Sequence, residues 1–554
     1  MSGTTIQNPI FPGFNADPSA LWTENGCYVA TSTFNWTPGV SLYHSKDFVN
    51  WELKSNILDR VSQVDLRGNG ESAGIWAPHI SYNPGTGLYY LVYTDVKSLM
   101  PSFFDLNNYV ITAPDMEGPW SDPVYLNSSG FDPALFHDED GRSWLTNLSW
   151  EFEKRFDHPG FIILEEMDGN SCELKGNPVE IYRGNRKFGC LEGPQIIKRE
   201  GYYYLIAAEG GTGYGHAVIV SRSLNMAGPY EEAPNGPLIT SRQNPHPAAD
   251  DYDMDFLKPQ FYNPGLRLQK AGHGSIIEDD KGRSWLFHLC ARPLMPQMRC
   301  VLNRETAMQQ IVWTDGWPVL VSGGCYPEDE VRIEETVEKT MDITCQGVQE
   351  FKEDALGTHW YSLKAPLQED WCSLKKSPGV LSIRGRNSIY SAHDASVIAR
   401  RIQHFNFTVE TEMDLDCRNF RHMGGLLLLT GSRTFYYLRK YYSRPLGQTA
   451  LGILVSRNGA PDELVETECP VDNDAVLTLI CRVNQPTLQF SFRENGGEEK
   501  RIGSIMDATL LSDEYTNNGP GAFDGSFCGM TVQDLDRHAN WAEFKSFSYR
   551  ADEK

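Results

Sequence analysis

Three carboxylic acids, a tryptophan and a histidine occur at the same place in five related stretches of the sequence. Counting back nine residues from a turn glycine in each stretch gives Asp17, Trp76, Asp132, Glu192 and His273. If the five stretches fold alike around one axis, these side chains face one cavity. Acids held close together out of water spread their pKa values, so that one stays protonated while another stays ionised. One acid could then protonate a leaving oxygen while another activates water, which is the chemistry of glycosidic bond hydrolysis.

A structural explanation competes with the catalytic one at each position. Asp-Pro commonly opens a turn, so Asp17 or Asp132 taken alone is more easily explained as a turn residue. Their combination with Glu192 favours a function, because burying three acids around one axis is costly unless a function retains them. An aromatic residue such as Trp76 would supply an apolar platform for a sugar ring.

The five stretches are hairpins in which an apolar strand, a polar turn ending in glycine and an aromatic strand follow one another. They recur every fifty to eighty residues, with further strands between them and no long helical pattern. The turn glycines used for the alignment are Gly26, Gly85, Gly141, Gly201 and Gly282. An extra Gly87 in the second copy lets its alignment shift by one or two residues. Repeated four-stranded units of this size predict a β-propeller with five blades.

Composition narrows the class of ligand and the location. The chain has 554 residues, too many for one hydrophobic core, and a net charge of −24, which repels phosphate backbones and anionic lipids. We therefore expect a neutral ligand, with no nucleic acid and no membrane partner. The sequence begins without a secretory signal pattern and contains no apolar run of about 18 residues, so it predicts a cytoplasmic protein. Twelve cysteines without a CxxC pair suit reduced thiols.

The motifs around these residues resemble those of glycoside hydrolase family 43, whose members are five-bladed propeller enzymes that act on xylan-derived sugars. The matching motifs lie in the family's order over about residues 8–325. They are Asn15-Ala-Asp17-Pro18, Gly74-Ile-Trp76-Ala-Pro-His79, Gly130-Phe-Asp132-Pro133, Glu192-Gly-Pro194, Gly272-His273-Gly274 and Asn303-Arg304-Glu305-Thr306. The C-terminal part is similar to the domain attached to the family's β-xylosidase branch, so the resemblance covers nearly the whole chain.

The resemblance implies a role for each acid. Asp17 would be the general base, Glu192 the general acid, and Asp132 the carboxylate that orients the acid and tunes its pKa. The mechanism would be inverting: Asp17 draws a proton from water, which attacks the anomeric carbon while Glu192 protonates the leaving oxygen. The base and acid should then lie about 6.5–9.5 Å apart to admit that water.

Four further positions resemble parts of the family's sugar-binding subsite. Phe34 and Trp76 would wall the non-reducing sugar, and Arg304 would hydrogen-bond to its hydroxyls and lower the pKa of a neighbouring carboxylate. His273 would lie on the axis beneath the acids, where some relatives hold a calcium ion through water. Structural explanations compete at these positions. Phe34 and Trp76 could be core aromatics, Arg304 could form a surface ion pair, and His273 could be a core histidine. No cofactor is required and calcium is optional; residues 251–255 lack the glycine and the glutamate of a calcium loop.

The sequence changes character after the fifth repeat. We expect the propeller over residues 1–325, an acidic linker over 326–345, and a β-sandwich of jelly-roll, concanavalin-like type over 346–554, where alternating strands return. By itself the sandwich could be a carbohydrate-binding module. The resemblance implies instead that it packs on the active-site mouth and lends it an aromatic side chain, Phe523 or Phe527.

Together these observations predict an exo-acting enzyme that releases xylose from the non-reducing end of short β-1,4-xylo-oligosaccharides, with room for an α-L-arabinofuranosidase side activity. Two alternatives stay open: an enzyme acting mainly on arabinofuranosides, and a sugar-binding propeller without catalysis. The shared motifs do not separate xylosides from arabinosides. A homo-oligomer is also left open.

Overall fold

The computed structural model describes residues 3–100, 103–153, 160–184, 189–245, 257–516 and 523–552, and nearly all of its regular structure is β-strand. The acidic stretch 251–255 lies outside these ranges, and so do Gly521 and Ala522, which directly precede Phe523. Within them the only α-helix is α1 (Asp513–Thr516), with short 3₁₀ turns at Pro259–Phe261 and Ala508–Leu510. No helix in the described part of the chain is long and apolar enough to cross a membrane.

The N-terminal part of the described chain forms a propeller with five blades, as the repeats predict. Its strands are β1 (Thr4–Gln7), β2 (Ala16–Thr23), β3 (Gly26–Ser32), β4 (Trp36–Thr37), β5 (Gly39–Ser45), β6 (Glu52–Leu58), β7 (Gly74–Asn83), β8 (Leu88–Met100), β9 (Phe103–Ala113), β10 (Val124–Asn127), β11 (Gly130–His137), β12 (Ser143–Ser149), β13 (Phe161–Met167), β14 (Leu174–Tyr182), β15 (Glu192–Arg199), β16 (Tyr202–Glu209), β17 (Ala217–Ser223), β18 (Glu231–Glu232), β19 (Ile239–Thr240), β20 (Gln269–Glu278), β21 (Ser284–Ala291), β22 (Glu305–Thr314), β23 (Trp317–Leu320) and β24 (Glu330–Ile333).

Each blade is an antiparallel sheet whose strands follow one another in chain order from the axis outward. The blades are β2-β3-β5-β6, β7 to β10, β11 to β14, β15 to β18 with β19 added to β17, and β20 to β23. The innermost strands β2, β7, β11, β15 and β20 therefore surround the axis. Every hairpin that the sequence repeat predicts contains one of these inner strands and its outer neighbour.

A ring of hydrogen bonds joins the inner strands of neighbouring blades around the axis. In each bond a backbone N–H of one blade donates to a side chain of the blade before it. The bonds are Ile80 N to Ser19 Oγ (3.0 Å), Leu135 N to His79 Nδ1 (3.4 Å), Ile276 N to Gln195 Oε1 (3.0 Å) and Ala20 N to Ser275 Oγ (3.1 Å). At the remaining junction Ala134 occupies the equivalent place and offers no acceptor. These bonds fix the rotation of each blade about the axis.

The two ends of the propeller chain meet beside the fifth blade. Strand β1 pairs with β24, which lies inside the acidic segment 326–345 that the sequence marks as a linker. The Asn8 amide exchanges two hydrogen bonds with the backbone of Met308 in β22, at 2.8 and 3.0 Å. The N-terminal segment is thereby tied to both the last blade and the segment that follows it.

The C-terminal part is a β-sandwich made of two sheets. Its strands are β25 (Gly347–Glu350), β26 (Tyr361–Leu363), β27 (Cys372–Ser373), β28 (Leu381–Arg384), β29 (Ser396–Arg401), β30 (Asn406–Leu415), β31 (His422–Thr430), β32 (Thr434–Ser443), β33 (Gln448–Arg457), β34 (Ala460–Pro470), β35 (Leu477–Asn484), β36 (Thr487–Glu494), β37 (Lys500–Asp507), β38 (Ser526–Asp534) and β39 (Trp541–Ala551). One sheet has the order β27-β28-β39-β30-β35-β36-β37, with β25 also on β39. The other has the order β34-β33-β32-β31-β38-β29-β26-β4.

The second sheet continues across the boundary into the propeller, because its last strand, β4, lies in the chain between β3 and β5 of the first blade. Within strand β31, residues 426–429 are all leucine, and burial of the strand on both faces explains this run. Leu426 and Leu428 point into the sandwich core, whereas Leu427 and Leu429 pack in a cluster with Phe34 of the propeller. A strand that is buried on both faces has no polar side to show. The sandwich is therefore docked on the propeller through the face of this sheet that carries Leu427 and Leu429.

A buried arginine adds directional contacts to this docking. The Arg401 side chain donates from Nε to the Phe14 carbonyl at 2.5 Å, from Nη2 to Ser41 Oγ at 2.9 Å, and from Nη1 to the Tyr361 hydroxyl. Two of the three acceptors belong to the propeller. Since a buried guanidinium is costly unless its donors are satisfied, these bonds fix how the two parts meet.

Candidate active site

The inner strand of every blade carries a β-bulge at its start, where one extra residue interrupts the pairing with the next strand. The residue at this extra position has a positive φ angle in all five blades. The five residues are Asp17 (55°), Ala77 (35°), Asp132 (55°), Gly193 (56°) and His273 (39°). Bulges of this kind re-aim side chains, and they recur next to active sites. They define the position at which the blades are equivalent.

This register corrects the sequence alignment for two of the five residues. Trp76 and Glu192 lie one residue before the extra position, at the place that Ala16 takes in the first blade. The turn glycines are not equivalent, because Gly26 opens the outer strand of its hairpin, whereas Gly201 lies inside its two-residue turn. The prolines that follow the extra position, Pro18, Pro78, Pro133 and Pro194, would have given the right register from the sequence.

Asp17 is buried and lies between a hydroxyl donor, a guanidinium and an imidazole. Ser32 Oγ donates to Asp17 Oδ2 at 2.7 Å, and Arg304 Nη1 lies 3.8 Å from Asp17 Oδ1. His273 Nδ1 lies at the same distance from Oδ1, so the predicted axial histidine does stand beside this acid. Ser32 in turn accepts from the Ala77 N–H at 2.8 Å, which ties Asp17 to the bulge of the next blade.

Asp132 links two neighbouring blades. Its Oδ2 accepts the backbone N–H of Gly193 at 2.9 Å, and its own N–H donates to Thr94 Oγ1 at 3.1 Å. Burial raises the pKa of the Asp132 carboxyl, and together with the opposing charge of His273 and the charges of Glu192 and Asp17 it brings that pKa to about 8. Because Gly193 follows Glu192 directly, Asp132 fixes the backbone that carries the third acid.

Glu192 is held in surroundings that disfavour its charged form. Burial, followed by the charge of Asp17, raises the pKa of the Glu192 carboxyl to about 8, although Arg304 and Lys258 act in the opposite direction. His216 Nε2 lies 3.8 Å from Glu192 Oε1. At neutral pH the Glu192 carboxyl therefore keeps its proton in most molecules.

His216 is wholly buried, and its ring is fixed from two sides. Burial lowers the pKa of the His216 imidazole to about 3, so the ring is neutral. Its Nδ1 lies 3.2 Å from the Lys270 carbonyl, which can only accept, so Nδ1 carries the proton and Nε2 faces Glu192 with a lone pair. Gly272 makes room for the ring, because a Cβ built there would lie 2.2 Å from a ring atom.

Three aromatic rings and one guanidinium form a continuous wall beside the acids. The ring centroids of Phe34 and Trp76 are 5.5 Å apart, and each lies 6.0 Å from the ring of Phe523. The Arg304 guanidinium lies over the rings of Phe34 and Phe523, at 4.7 and 4.8 Å from their centroids. Phe523 belongs to the sandwich, so this wall is built from both parts of the chain.

Phe527 does not take part in this wall. Its ring is 0% exposed and stacks on Trp36 at 3.8 Å, with Phe14 and Tyr361 beside it. The two phenylalanines differ because Phe523 precedes strand β38, whereas Phe527 lies within it and faces the packed junction between sandwich and propeller. The sequence expectation that either ring could line the mouth is thus corrected for Phe527.

The axis beneath the acids offers little to a calcium ion. A cavity of about 20 Å³, room for about one water, lies there among prolines, small residues, Asp132, His79 and His273. The oxygens of Ser19, Gln195 and Ser275 that line it already accept backbone N–H groups. Calcium prefers six to eight oxygen ligands, and the described residues contain no group of three or more His, Cys, Asp or Glu that could hold a metal. One carboxylate and two imidazoles do not fit a directly bound calcium ion, and calcium held through water beside His273 stays a prediction of the sequence.

Two polar residues of the site were not expected from the sequence. Ser32 lies 15 positions from Asp17, but the hairpin between β2 and β3 pairs it with Ala16, so correct pairing would have placed it beside the acid. His216 comes from β16–β17 of the blade that carries Glu192, and its neighbour Gly272 comes from the next blade. No local sequence pattern indicates the contact between His216 and Gly272.

Comparison with known proteins decides the family. Residues 6–318 match the family model described as glycosyl hydrolases family 43, and residues 348–550 match the one described as the beta xylosidase C-terminal concanavalin A-like domain. This chain belongs to glycoside hydrolase family 43. The second match confirms the concanavalin-like class of the sandwich.

Full-length relatives agree with this assignment. The family 43 chain is 39% identical over 552 residues to xylosidase/arabinosidase 43B of Humicola insolens, covering 98% of this chain and 97% of that protein. It is 34% identical over 574 residues to a xylan 1,3-beta-xylosidase of a Vibrio species, covering 99% of each. A crystal structure of xylan beta-1,4-xylosidase from Bacillus halodurans C-125 superposes with a TM-score of 0.91 at 40% identity, covering 98% of this chain and 100% of that one.

We predict that Gly272→Ala inactivates this glycoside hydrolase without unfolding it. The new methyl group would push the His216 ring against Glu192, and displacements of about 1 Å at a reacting group can cost about a hundredfold in rate. The measurement is kcat/KM on a chromogenic glycoside, with thermal unfolding as the check on folding. Gly357→Ala, which has no atom within 4 Å of the new Cβ, is the matched control. Equal activity of both variants would contradict the packing described for His216.

Proposed function

We propose that this chain is an inverting, exo-acting β-xylosidase that releases xylose from the non-reducing end of short β-1,4-xylo-oligosaccharides, with α-L-arabinofuranosidase as a side activity. One observation carries the proposal: of the two acids expected to exchange protons with substrate and water, Glu192 has a pKa raised to about 8, whereas Asp17 has the Arg304 guanidinium beside it. Environments that differ in this way assign the roles of acid and base.

Glu192 is the general acid in this proposal. A carboxyl group that stays protonated at neutral pH can give its proton to the glycosidic oxygen as the bond breaks. His216 does not hold the carboxyl proton, because its Nε2 lies 3.8 Å from Glu192 Oε1, too far for a hydrogen bond. After leaving-group departure, Glu192 regains its proton from water.

Asp17 is the general base and acts as a carboxylate. The Ser32 hydroxyl occupies Oδ2, which leaves Oδ1 as the oxygen that takes a proton from the attacking water. The water attacks the anomeric carbon on the face opposite the leaving group, so no glycosyl-enzyme forms and the anomeric configuration inverts. A separation of about 6.5–9.5 Å between the two carboxyl groups stays a prediction of this mechanism.

Asp132 acts on the acid through the backbone and through its charge. The bond from Gly193 N–H to Asp132 Oδ2 fixes the strand end that bears Glu192. Because the two carboxyls share one buried space, a negative charge on one raises the pKa of the other. Because the pKa of Asp132 is itself raised to about 8, this charge effect acts only above neutral pH, where one of the two carboxyls has lost its proton.

The wall of Phe34, Trp76, Phe523 and Arg304 supports exo action on a single terminal sugar. Apolar ring faces suit the carbon side of a pyranose, and a guanidinium offers several donors to its hydroxyls. A groove for internal attack on a polymer would need both ends open, whereas the sandwich adds Phe523 to one side of this site. His273 lies beneath Asp17 as part of its support.

The choice of sugar and linkage rests on the relatives' names. One relative is named for both xylosidase and arabinosidase activity, one for a β-1,3 linkage and one for a β-1,4 linkage. An enzyme acting mainly on arabinofuranosides is the second candidate. The domain limits 1–325 and 346–554 and the formation of a homo-oligomer are further expectations. Cytoplasmic location is another, and it suits small imported substrates. The net charge of −24 suits neutral sugars.

We predict that Asp17→Ala and Glu192→Ala each lose most turnover, about a hundredfold or more, since each removes one half of the proton transfer. The Glu192 variant should keep much more activity on a xyloside with a good leaving group, such as nitrophenolate, than on xylobiose. Asp279→Ala, which removes a buried acid at the far end of the same propeller, is the control and should keep the wild-type ratio. Equal losses on both substrates would refute Glu192 as the acid.

A second prediction concerns stereochemistry. The first product released from a β-xyloside should be α-xylose, because water attacks directly at the anomeric carbon. Proton NMR in the first minutes of reaction, before mutarotation, distinguishes the two anomers. Initial release of β-xylose would show a double displacement and would contradict the inverting mechanism while leaving the family assignment intact.

A further inference from the structure

The backbone of Phe523 is bound directly to the residues that form the other sides of the wall. Its N–H donates to Ser72 Oγ at 2.7 Å, and its carbonyl accepts from Arg304 Nη2 at 3.0 Å. The Ser72 carbonyl accepts from Trp76 Nε1 at 3.0 Å. One short segment of the sandwich therefore connects the indole and the guanidinium of the sugar site.

The next residue, Asp524, holds this segment from behind. Its side chain is 2% exposed and accepts from the Ser72 N–H through Oδ2 and from Asn35 Nδ2 through Oδ1, both at 3.0 Å. Its carbonyl accepts from Trp36 Nε1 at 2.7 Å. Asn35 and Trp36 directly follow the wall residue Phe34. Asp524 thus contacts the chain next to two wall residues that come from different blades.

Glu71 lies beside Asp524 on the propeller side. Its carboxylate accepts the Ser432 N–H at 3.1 Å and pairs with Lys364 Nζ at 3.3 Å, so it also reaches into the sandwich. A Cβ at Gly431 would lie 2.7 Å from Glu71 Oε2 and 3.1 Å from Asp524 Oδ2, so both carboxyls lie against this glycine. Burial first, and then the Glu71 charge, raises the pKa of Asp524 to about 7, so a neutral side chain at position 524 is compatible with its surroundings.

These contacts are not needed to dock the sandwich. The shared sheet, the apolar face of β31 and the buried Arg401 already join it to the propeller at other places. What Asp524 adds is local: its acceptors fix the segment that carries Phe523 against Ser72 and the chain beside Phe34. An acid buried at a cost, beside a second acid, is retained where its hydrogen bonds hold something specific.

We propose that Asp524 is a positioning residue of the sugar site, which holds Phe523 against Trp76 and Arg304 and so completes the wall around the terminal sugar. The inference rests on the proposed role of that wall. Without the Asp524 carboxyl, Phe523 would lose its fixed place, and sugar binding would weaken while the acids keep their geometry. The expected effect is on KM more than on kcat, because the ring contacts the sugar in the ground state and the transition state alike.

The test compares Asp524→Ala, Asp524→Asn, Phe523→Ala and the double variant Asp524→Ala/Phe523→Ala in the full chain. Each is assayed on whichever chromogenic glycoside, xyloside or arabinofuranoside, the wild type hydrolyses, so that the choice of sugar does not decide the result. Asp534→Ala is the matched control: Asp534 is 1% exposed, accepts four backbone N–H groups, and lies at the other end of β38, about 26 Å from Ser526 at 3.3 Å per residue.

We expect Asp524→Ala to raise KM about tenfold or more with kcat within about threefold, and to add nothing in the Phe523→Ala background. Asp524→Asn should restore part of the affinity, because it keeps one of the two acceptor oxygens. Asp534→Ala should lower the unfolding temperature and leave KM unchanged. The proposal is overturned if Asp524→Ala behaves like Asp534→Ala, or if its effect on KM multiplies with that of Phe523→Ala. A wild type that releases β-xylose first, or prefers arabinofuranosides, would overturn the proposed function instead.

Discussion

Three carboxyl groups with little access to water lie around one axis, and the rest of the propeller is arranged so that they can stay there. Each inner strand begins with a bulge at positive φ, which costs on the order of 1–3 kcal/mol for most non-glycine residues. Aspartate tolerates this backbone better than most residues, and glycine adopts it freely, which suits Asp17, Asp132 and Gly193. Hydrogen bonds that Ser32 and Thr94 accept from the Ala77 and Asp132 N–H groups, and one that the Gly193 N–H donates to Asp132, then hold these bulges in place. The chemistry follows from that placement, since buried acids at close quarters separate into a proton donor and a proton acceptor.

The sandwich is part of the same site and not an appended module. Its sheet extends onto the propeller strand Trp36–Thr37, and its strand β31 is apolar on both faces because both faces are covered. Docking through this sheet brings Phe523 next to Phe34 and Trp76. Phe523 is nearly five hundred residues from Phe34 in the sequence. It nevertheless forms the fourth side of a pocket whose other three sides are propeller residues.

Much of this could be predicted from the sequence, and the failures have physical causes. The repeated hairpins predict the five blades, and the three acids with the Asp-Pro and Glu-Gly-Pro motifs predict the acidic centre. The register failed by one residue at Trp76 and Glu192, because hairpins that look alike differ in whether glycine lies within the turn or opens the outer strand. The prolines after the bulge were the better marker, since they follow the residue whose φ angle is constrained.

Other parts of the site depend on contacts between distant segments and have no local pattern. Phe523 and Phe527 are four residues apart, and the sequence around them does not show which one lines the wall. Phe523 precedes strand β38 and lies in the wall, whereas Phe527 lies within β38 and is packed in the core. His216 and Asp524 depend on Gly272 and Gly431, glycines whose missing side chains leave the necessary space. In the sequence these glycines resemble many others.

The most direct test of the account is the pH dependence of kcat/KM for xylobiose, a substrate whose leaving group needs a proton. This parameter reports the pKa values of the free enzyme, and the acid works only while it holds its proton, so activity falls as pH rises through the pKa of that group. With the pKa of Glu192 raised to about 8 by burial, kcat/KM should stay high through neutral pH and decline above about pH 8. The decline should persist in Asp132→Asn, which retains the acid. A decline centred near pH 4.5, the ordinary pKa of a glutamate, would contradict the claim that burial around the propeller axis creates the general acid.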